Sequence, residues 1–162
     1  MCNDSSVQPS VEATADLVDA VMSASRALVA VAARSIAAVD EDVTLPQYRA
    51  LIVLAQRGPQ RPVDLADALD VSPSSATRMC DRLAARELVA RDRTGHDRRE
   101  VRVALSPRGR ALVEDVTRRR RAELTTLLQA LPADAREQVV VALRGFAAAA
   151  GEVPEPEWAM LP

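Results

Sequence analysis

The sequence predicts a mainly α-helical protein with one small β-hairpin. Apolar residues recur every three or four positions through most of the chain, which is typical of amphipathic helices, and the period changes to two only between residues 88 and 105. Serine followed by proline occurs twice, and this pair indicates a capping residue and the first helical position. With 162 residues, 48% of them hydrophobic, the chain has the size of one domain and enough apolar side chains for a core.

The N-terminal part of the chain predicts one long helix. The first ten residues are polar and are expected to be flexible. Between residues 11 and 39, apolar residues follow a helical period but cover more than one stripe, so we expect this helix to pack on more than one surface, including another chain. Asp40, Glu41 and Asp42 then form an acidic break.

Two short helices are predicted next. The first covers residues 46–56, with Thr44 as its cap and Gly58 as its stop. Its expected buried side chains are Tyr48, Leu51, Ile52, Leu54 and Ala55. The second covers residues 62–69 and ends in a turn at residues 70–71. Its expected buried side chains are Val63, Leu65, Ala66 and Leu69.

The fourth predicted helix has two contrasting faces. It begins at the cap Ser72 and at Pro73, and it is expected to end near Arg86. Its apolar face, at positions i, i+3, i+4 and i+7, consists of Ala76, Met79, Cys80 and Leu83. The opposite face carries hydroxyl and charged groups, from Ser74, Ser75, Thr77, Arg78, Asp81 and Arg82.

The hairpin and two further helices complete the chain. The strands are predicted at residues 88–91 and 101–105, around a charged loop. A long helix then begins at Ser106-Pro107 and continues to about residue 131. A last helix, starting near Asp134, carries Val139, Val140, Leu143 and Phe146. Residues 150–162 are rich in proline and glutamate and are expected to form an irregular tail.

Two short helices joined by a tight turn and followed by an arginine-bearing hairpin form a winged helix-turn-helix. Serine and threonine on the second helix can contact phosphates or base edges, and arginine can bind guanine through two hydrogen bonds. We therefore expect double-stranded DNA as the partner. The recognition-helix residues expected to contact DNA are Ser72, Ser74, Ser75, Thr77, Arg78 and Arg82.

These residues resemble the MarR family (multiple-antibiotic-resistance regulators) of bacterial transcription factors. The similarity is carried by DVSPSSATRMCDRLAARELVARDRTGHDRREVRVALSPRGRAL, residues 70–112, and by LPQYRALIVLAQRGPQRPVDLADAL, residues 45–69. The wing pattern of that family, Asp-x-Arg, five residues and then Leu-Thr/Ser-x-x-Gly, is met by Asp97, Arg99, Leu105, Ser106 and Gly109. With the flanking helices, the resemblance covers roughly residues 11–149.

The resemblance implies one MarR-like domain over residues 11–149. Its winged lobe would occupy about residues 45–105, between dimerisation helices at about 11–39 and 106–149. It further implies a homodimer whose two lobes lie on successive major grooves of a pseudo-palindromic operator.

The resemblance also assigns the wing. Asp97 would orient Arg99, and Arg99 would enter the minor groove together with Arg98. Glu87 departs from the family, which usually has glycine at the end of the recognition helix. A left-handed residue there costs a side chain other than glycine about 1 kcal/mol, so we expect a differently shaped helix end.

Several residues have a simpler interpretation. Arg78 and Arg82 could pair with Asp81 and Glu87 along the helix instead of contacting DNA. The arginine run at residues 118–121 is more typical of a solvated or salt-bridged helix face than of a DNA contact. Cys80, on the apolar face, is more typical of a buried small hydrophobe than of a redox sensor. Cys2 lies outside the first helix, where some oxidant-sensing relatives carry their cysteine.

The expected function is sequence-specific DNA binding by a transcriptional regulator, preferably a repressor, that a small apolar or amphipathic ligand releases. The alternative is a winged-helix module that binds protein or a small molecule without specific DNA readout, and the near-neutral net charge and Glu87 support it. No enzyme is expected, because the chain lacks a nucleotide-binding glycine motif and has one histidine, His96. No cofactor or metal is expected, since two cysteines and one histidine cannot build a common zinc site.

Composition restricts the setting and the partner. Two cysteines fit a reducing cytoplasm, and no stretch reaches the ~18 apolar residues of a membrane span. One tryptophan, one tyrosine and one phenylalanine disfavour RNA or single-strand binding by base stacking. The net charge of −2 is unevenly distributed: residues 72–121 contain 14 arginines and 7 acidic residues, so the rest of the chain is strongly acidic. A basic lobe on an acidic helical frame is therefore expected.

Overall fold

The computed structural model describes residues 11–92 and 101–152. Within these residues, six helices and one antiparallel pair of strands follow one another in the order α1, α2, α3, α4, β1, β2, α5, α6. Their bounds are α1 Val11–Ala37, α2 Leu45–Arg57, α3 Pro62–Leu69, α4 Pro73–Ala85, β1 Val89–Asp92, β2 Arg102–Leu105, α5 Pro107–Gln129 and α6 Ala133–Ala149. The mainly α-helical fold with a small hairpin is thus confirmed, whereas the predictions for residues 1–10 and 153–162 concern parts of the chain outside the described residues.

Most helix ends fall within two residues of the prediction. The first helix ends at Ala37 rather than at residue 39. A turn follows, which is closed by a hydrogen bond from the backbone N–H of Asp40 to the carbonyl of Ile36. The fifth ends at Gln129 rather than near residue 131. The first strand begins at Val89 because the N–H of Leu88 donates to Leu83 of the preceding helix.

The core lies where α2, α4, the hairpin and the first half of α5 meet. It is aliphatic apart from Tyr48 and Cys80, and its fully buried large side chains include Leu51, Leu65 and Leu83. These side chains fix the relative positions of the winged lobe's helices, because the burial of each depends on its neighbours.

The predicted buried faces need two corrections. In α2, Ile52 and Ala55 are only partly buried, whereas Ala50 and Val53 are fully buried, because this helix is enclosed on several sides. In α3, Val63 was expected to be buried but is 43% exposed, and Leu69 is only partly buried. A helix turns by about 100° per residue, which places Val63 on the flank of a helix that buries Leu65. The predicted face of α4 is confirmed, with Met79 at its partly buried edge.

Helix α6 differs from the other helices because none of its residues is buried in this chain. Several of its large apolar side chains are exposed: Val140, Val141, Leu143 and Phe146. The outer part of α1 has the same character, with exposed Leu17, Val18, Met22, Leu28 and Val29. These two helices therefore carry apolar surface that one chain leaves uncovered.

Candidate nucleic-acid interface

Helices α3 and α4 are joined by a tight turn centred on Asp70. Asp70 adopts a left-handed conformation with φ 53°, and the N–H of Val71 then donates to Ala66 at 3.0 Å. Aspartate tolerates this region better than most residues, so the turn predicted at residues 70–71 has a local chemical basis. At the other end of α3, a hydrogen bond from the Arg61 side chain holds the pKa of Asp64 below its ordinary value.

The N-terminus of α4 is organised by Ser72. Its Oγ accepts a hydrogen bond from the N–H of Ser75 at 3.2 Å and donates one to Ser75 Oγ at 2.9 Å. Ser74 Oγ lies 3.1 Å from the same hydroxyl. The cap therefore holds three hydroxyl groups together at the end of a helix whose free N–H groups and dipole favour a phosphate.

The outward face of α4 is assembled as the sequence predicted, with one difference. Ser74, Thr77, Arg78 and Arg82 are exposed, whereas Ser75 is partly buried. Thr77 donates its hydroxyl hydrogen to the carbonyl of Pro73 at 2.9 Å, which leaves its oxygen as an acceptor and its methyl group outward. Arg78 donates to Ser75 Oγ at 3.4 Å. The Ser75 hydroxyl thus holds Ser72 and Arg78 in position, and it is less accessible to a partner than the other side chains of this face.

The two acidic side chains near this face pair with residues of other elements. Asp81 pairs with Arg91 of β1, and Glu87 lies 3.7 Å from Arg108 of α5. The described salt bridges contain no pair from Arg78 or Arg82 to either acid. The simpler interpretation, that these arginines are neutralised along the helix, is therefore wrong for this conformation, and both guanidinium groups are left on the surface.

The end of α4 corrects the expectation about Glu87. Glu87 does adopt the left-handed conformation, with φ 58°, although it is not glycine. The N–H of Leu88 donates to Leu83 at 3.0 Å and that of Glu87 donates to Ala84 at 2.9 Å, which is the hydrogen-bond pattern of a Schellman cap. The buried side chain of Leu88 covers this cap, so burial and hydrogen bonding offset the conformational cost.

The same helix end is joined to the loop after α1 and to α5 by side-chain contacts that the sequence did not predict. Arg86 donates to Asp40 at 2.6 Å and lies 3.5 Å from Asp42, in the loop after α1. Ser106, the cap of α5, donates its hydroxyl hydrogen to the carbonyl of Glu87 and accepts from the N–H of Gly109 at 3.0 Å. Helix α4 is consequently anchored at its C-terminal end by two neighbouring parts of the chain.

The hairpin pairs Val89 with Leu105 and Asp92 with Arg102. A third, short pairing joins it to the loop after α2, where Gln60 and Val103 exchange two backbone hydrogen bonds of 3.0 and 2.7 Å. The predicted wing residues lie outside the described residues: these are Asp97, Arg98 and Arg99. The same holds for His96.

The structure also tests the predictions for Cys80 and for the arginine run at residues 118–121. Cys80 is 1% exposed, and burial raises the pKa of its thiol, which favours its interpretation as a core side chain. In the arginine run, Arg118 pairs with Asp115 one turn earlier, as expected of a salt-bridged face.

Within residues 11–92 and 101–152, no cluster of three histidine, cysteine or acidic side chains suits a metal ion. None of the described helices is long and apolar enough to cross a membrane.

A helix-turn-helix with an exposed, cationic second helix, closed by a two-stranded hairpin, defines a winged helix-turn-helix protein. The sequence model of the MarR family matches residues 43–101. The crystal structure of RV1404 from Mycobacterium tuberculosis is 41% identical and superposes with a TM-score of 0.83, covering 92% of this chain and 99% of that one. The chain belongs to the MarR family.

Curated relatives match over about half of the chain. The HTH-type transcriptional regulator YhbI of Bacillus subtilis is 38% identical over 73 residues, which are 45% of this chain and 47% of the relative. The HTH-type transcriptional repressor MdtR of the same organism is 32% identical over 91 residues, 56% of this chain and 59% of the relative. The chain therefore spans about half the length of these curated relatives. MarR of E. coli shares the fold, with a TM-score of 0.67, 24% identity and coverage of 80% of this chain and 96% of that one.

Proposed function

We propose that this protein is a transcriptional regulator, specifically a repressor, that binds double-stranded DNA in a sequence-specific manner. In this proposal it acts in the cytoplasm and has no enzymatic activity. The observation that carries the proposal is the exposed face of α4, where Arg78 and Arg82 have no acidic partner in the described salt bridges. MdtR, named a transcriptional repressor, is similar over 91 residues, 56% of this chain. The repressor direction is inferred from that similarity.

The chemistry of α4 suits the major groove of B-DNA. That groove is about 12 Å wide and admits one α-helix. Arginine recognises guanine there by donating hydrogen bonds to the O6 and N7 atoms of the base. We assign base contacts to Arg78 and Arg82. We assign phosphate contacts to Ser72 and Ser74 at the helix N-terminus. Thr77 lies between these serines and the two arginines and also faces the DNA, and Ser75 holds Ser72 and Arg78 in position.

The wing is proposed to supply the minor-groove contact. The hairpin strands themselves lie beside α4, since Arg91 of β1 pairs with Asp81 on that helix. In this proposal Asp97 orients Arg99, and Arg99 enters the minor groove with Arg98. The negative potential of a narrow minor groove attracts guanidinium groups in this way.

The protein is proposed to act as a homodimer. The exposed apolar side chains of α1 and α6 are the support for this assignment, because a monomer seldom leaves so many large apolar groups in water. Two copies would place their α4 helices on half-sites about 34–36 Å apart, one turn of DNA, and the operator would be pseudo-palindromic. Sedimentation equilibrium of a Phe146→Glu variant tests the assignment. We expect monomers from this variant, and unchanged dimers would contradict the interface.

DNA binding is tested by fluorescence anisotropy. The labelled probe is the duplex upstream of the protein's own gene, and a shuffled duplex of equal composition is the control. We expect tighter binding to the upstream duplex, with an affinity that falls steeply as salt increases. An Arg99→Ala variant should bind this duplex more weakly at moderate salt. Equal affinity for both duplexes would reject the proposal and favour a winged-helix module without specific readout.

A small ligand that favours a different separation of the two lobes would release DNA, by its differential affinity for the two shapes. The ligand expected from the aliphatic helices is apolar or amphipathic.

A further inference from the structure

An apolar wall between α1, α2 and α5 is left open to solvent. It belongs to a cavity of about 470 Å³ whose aliphatic lining consists of Leu28, Val29, Ala32, Leu45 and Ile52. Leu28, Val29 and Leu45 are 38%, 53% and 40% exposed. Contact of so many large apolar side chains with water is unfavourable, so this wall is expected to be covered.

The last described residue, Glu152, lies at the same cavity. Helix α6 ends in a Schellman motif, in which Gly151 adopts φ 70° and Glu152 donates its N–H to Ala147 at 3.0 Å. This motif turns the chain, and Glu152 is one of the residues that line the cavity. Its carboxylate accepts two hydrogen bonds from Arg49 of α2, one from Nη1 at 3.2 Å and one from Nη2. The segment that follows α6 therefore starts at this cavity.

The charged groups of the cavity are not balanced. Arg120 of α5 also lines it, and its Nε atom is buried without an acceptor among the described residues. A buried N–H group normally has a partner, since leaving it unpaired is unfavourable. Two arginines thus face one carboxylate, that of Glu152, and the cavity favours a second one.

The next ten residues have the composition that this cavity requires. Residues 153–162, which lie outside the described part of the chain, contain no basic residue. Their acidic residues are Glu155 and Glu157, and their large apolar residues are Val153, Trp158, Met160 and Leu161. Trp158 comes six residues after Glu152, a stretch of chain that spans up to about 20 Å. A carboxylate and a large apolar side chain are therefore both available within reach of the cavity.

We propose that residues 153–162 dock on this cavity of their own chain. Trp158 covers the aliphatic wall, and Glu155 accepts hydrogen bonds from Arg120. The pair of Glu152 with Arg49 holds the start of the segment at the site, so docking within one chain occurs at high effective concentration. The docked segment links α2 of the winged lobe to α1 and α5. Docking does not require that the protein binds DNA.

Tryptophan fluorescence of the full chain tests the docking directly, because Trp158 is the only tryptophan. The reference for an exposed side chain is the same protein unfolded in urea. We expect emission of the native protein to be shifted to shorter wavelength. Acrylamide should quench it at least about threefold less, since a buried aromatic ring is shielded from solutes. Native emission and quenching equal to those of the unfolded chain would overturn the proposal.

Leu45→Glu tests the position of the docked side chain. It places a charge in the aliphatic wall and should shift emission and quenching towards the unfolded values. Val63→Glu is the matched control, because Val63 also lies in the first turn of a helix, is 43% exposed and does not line this cavity. It should leave the fluorescence unchanged. Equal fluorescence of the wild type and Leu45→Glu would show that Trp158 lies elsewhere.

The charged contact is tested from both sides. Arg120→Gln and Glu155→Gln should each raise the quenching of Trp158 by about twofold, since partly exposed ion pairs contribute modestly. Arg119→Gln, at the neighbouring exposed position, should have no effect. Glu155→Gln leaves the described fold untouched, so it remains informative where a substitution in the cavity impairs folding. Unchanged quenching in both variants would contradict the contact.

A spin label distinguishes the chain's own tail from that of a second copy. The label is a nitroxide on Arg57→Cys in a Cys2→Ser chain, one residue beyond Gln56 of the cavity lining, and it quenches tryptophan at short range. It should quench Trp158 when both are on one chain that is mixed with excess unlabelled Trp158→Phe chain. Quenching only by a label on the other chain, or in neither arrangement, would overturn the proposal.

Discussion

Gly109, in the first turn of α5, lies directly against the backbone of Leu88 at the base of the hairpin. A Cβ atom on Gly109 would stand 1.9 Å from the carbonyl oxygen of Leu88 and 2.9 Å from its carbonyl carbon. Real atoms do not approach so closely, and backbone cannot move aside as a flexible side chain can. Gly109 is the glycine at the end of the wing pattern, so this contact gives that sequence position a packing explanation.

Gly109→Ala should therefore destabilise the protein. Alanine in a helix normally stabilises by about 1 kcal/mol relative to glycine, so a loss of 1–3 kcal/mol would reverse the usual sign. Urea unfolding followed by circular dichroism measures this difference. Arg110→Ala, at the next and exposed position of the same helix, should change the free energy of unfolding by less than about 0.5 kcal/mol. A Gly109→Ala protein as stable as the wild type would contradict the close contact.

Glu87→Gly should stabilise the protein, because glycine adopts the left-handed conformation at φ 58° without the steric cost of a side chain. The expected gain is about 1 kcal/mol. Glu87→Ala separates the two contributions, since it keeps the strain and removes the exposed pair with Arg108. Thermal unfolding should rank glycine above both glutamate and alanine. A glycine variant less stable than the alanine variant would show that the helix end has another shape.

Arg86→Ala should loosen the C-terminal end of α4. The side chains of Arg86 and Asp40 are 25% and 16% exposed, so their pair is better shielded than those on the surface. We expect a loss of about 1–2 kcal/mol in the free energy of unfolding. Arg118→Ala is the matched control, because its pair with Asp115 is largely exposed and should contribute less than about 0.5 kcal/mol. Equal effects of the two substitutions in urea unfolding would contradict the anchoring role.

Cys80 should react slowly with iodoacetamide in the folded protein. Burial raises the pKa of its thiol, so the native state holds the proton more tightly than the unfolded state. Stability from this proton is present below the unfolded pKa of about 8.5 and is lost as the pH rises above it. Alkylation of a Cys2→Ser variant, followed by mass spectrometry in the absence and presence of denaturant, isolates Cys80. Rapid labelling of the folded variant would indicate an accessible thiol.

Much of this fold follows from local sequence signals. The caps Thr44, Ser72 and Ser106 are confirmed, because each serves its own helix within three residues. The apolar face of α4 is confirmed for the same reason, since helical periodicity is a local property. Val63 was misplaced because α3 has only eight residues, too few for the pattern to define which flank is buried.

The unpredicted features depend on contacts between distant residues. The pairing of Gln60 with Val103, the hydrogen bond from Ser106 to Glu87 and the ion pair of Arg49 with Glu152 have no periodic signal. The left-handed conformation of Glu87 was considered unfavourable from its residue type, and tertiary burial of Leu88 decided otherwise. At the candidate interface, the sequence identified which side chains lie on α4 but not which acids neutralise which arginines.

The most direct test of the central claim compares the specificity of the wild type with that of Arg78→Ala and Arg82→Ala. Anisotropy titrations give the ratio of dissociation constants for the upstream duplex and its shuffled control. Each substitution should lower this ratio by about tenfold, because a bidentate arginine contact contributes ~1–3 kcal/mol to base discrimination. Arg57→Ala, which removes the same charge from the end of α2, should leave the ratio unchanged. An unaltered ratio in both α4 variants would contradict the assignment of α4 as the recognition helix.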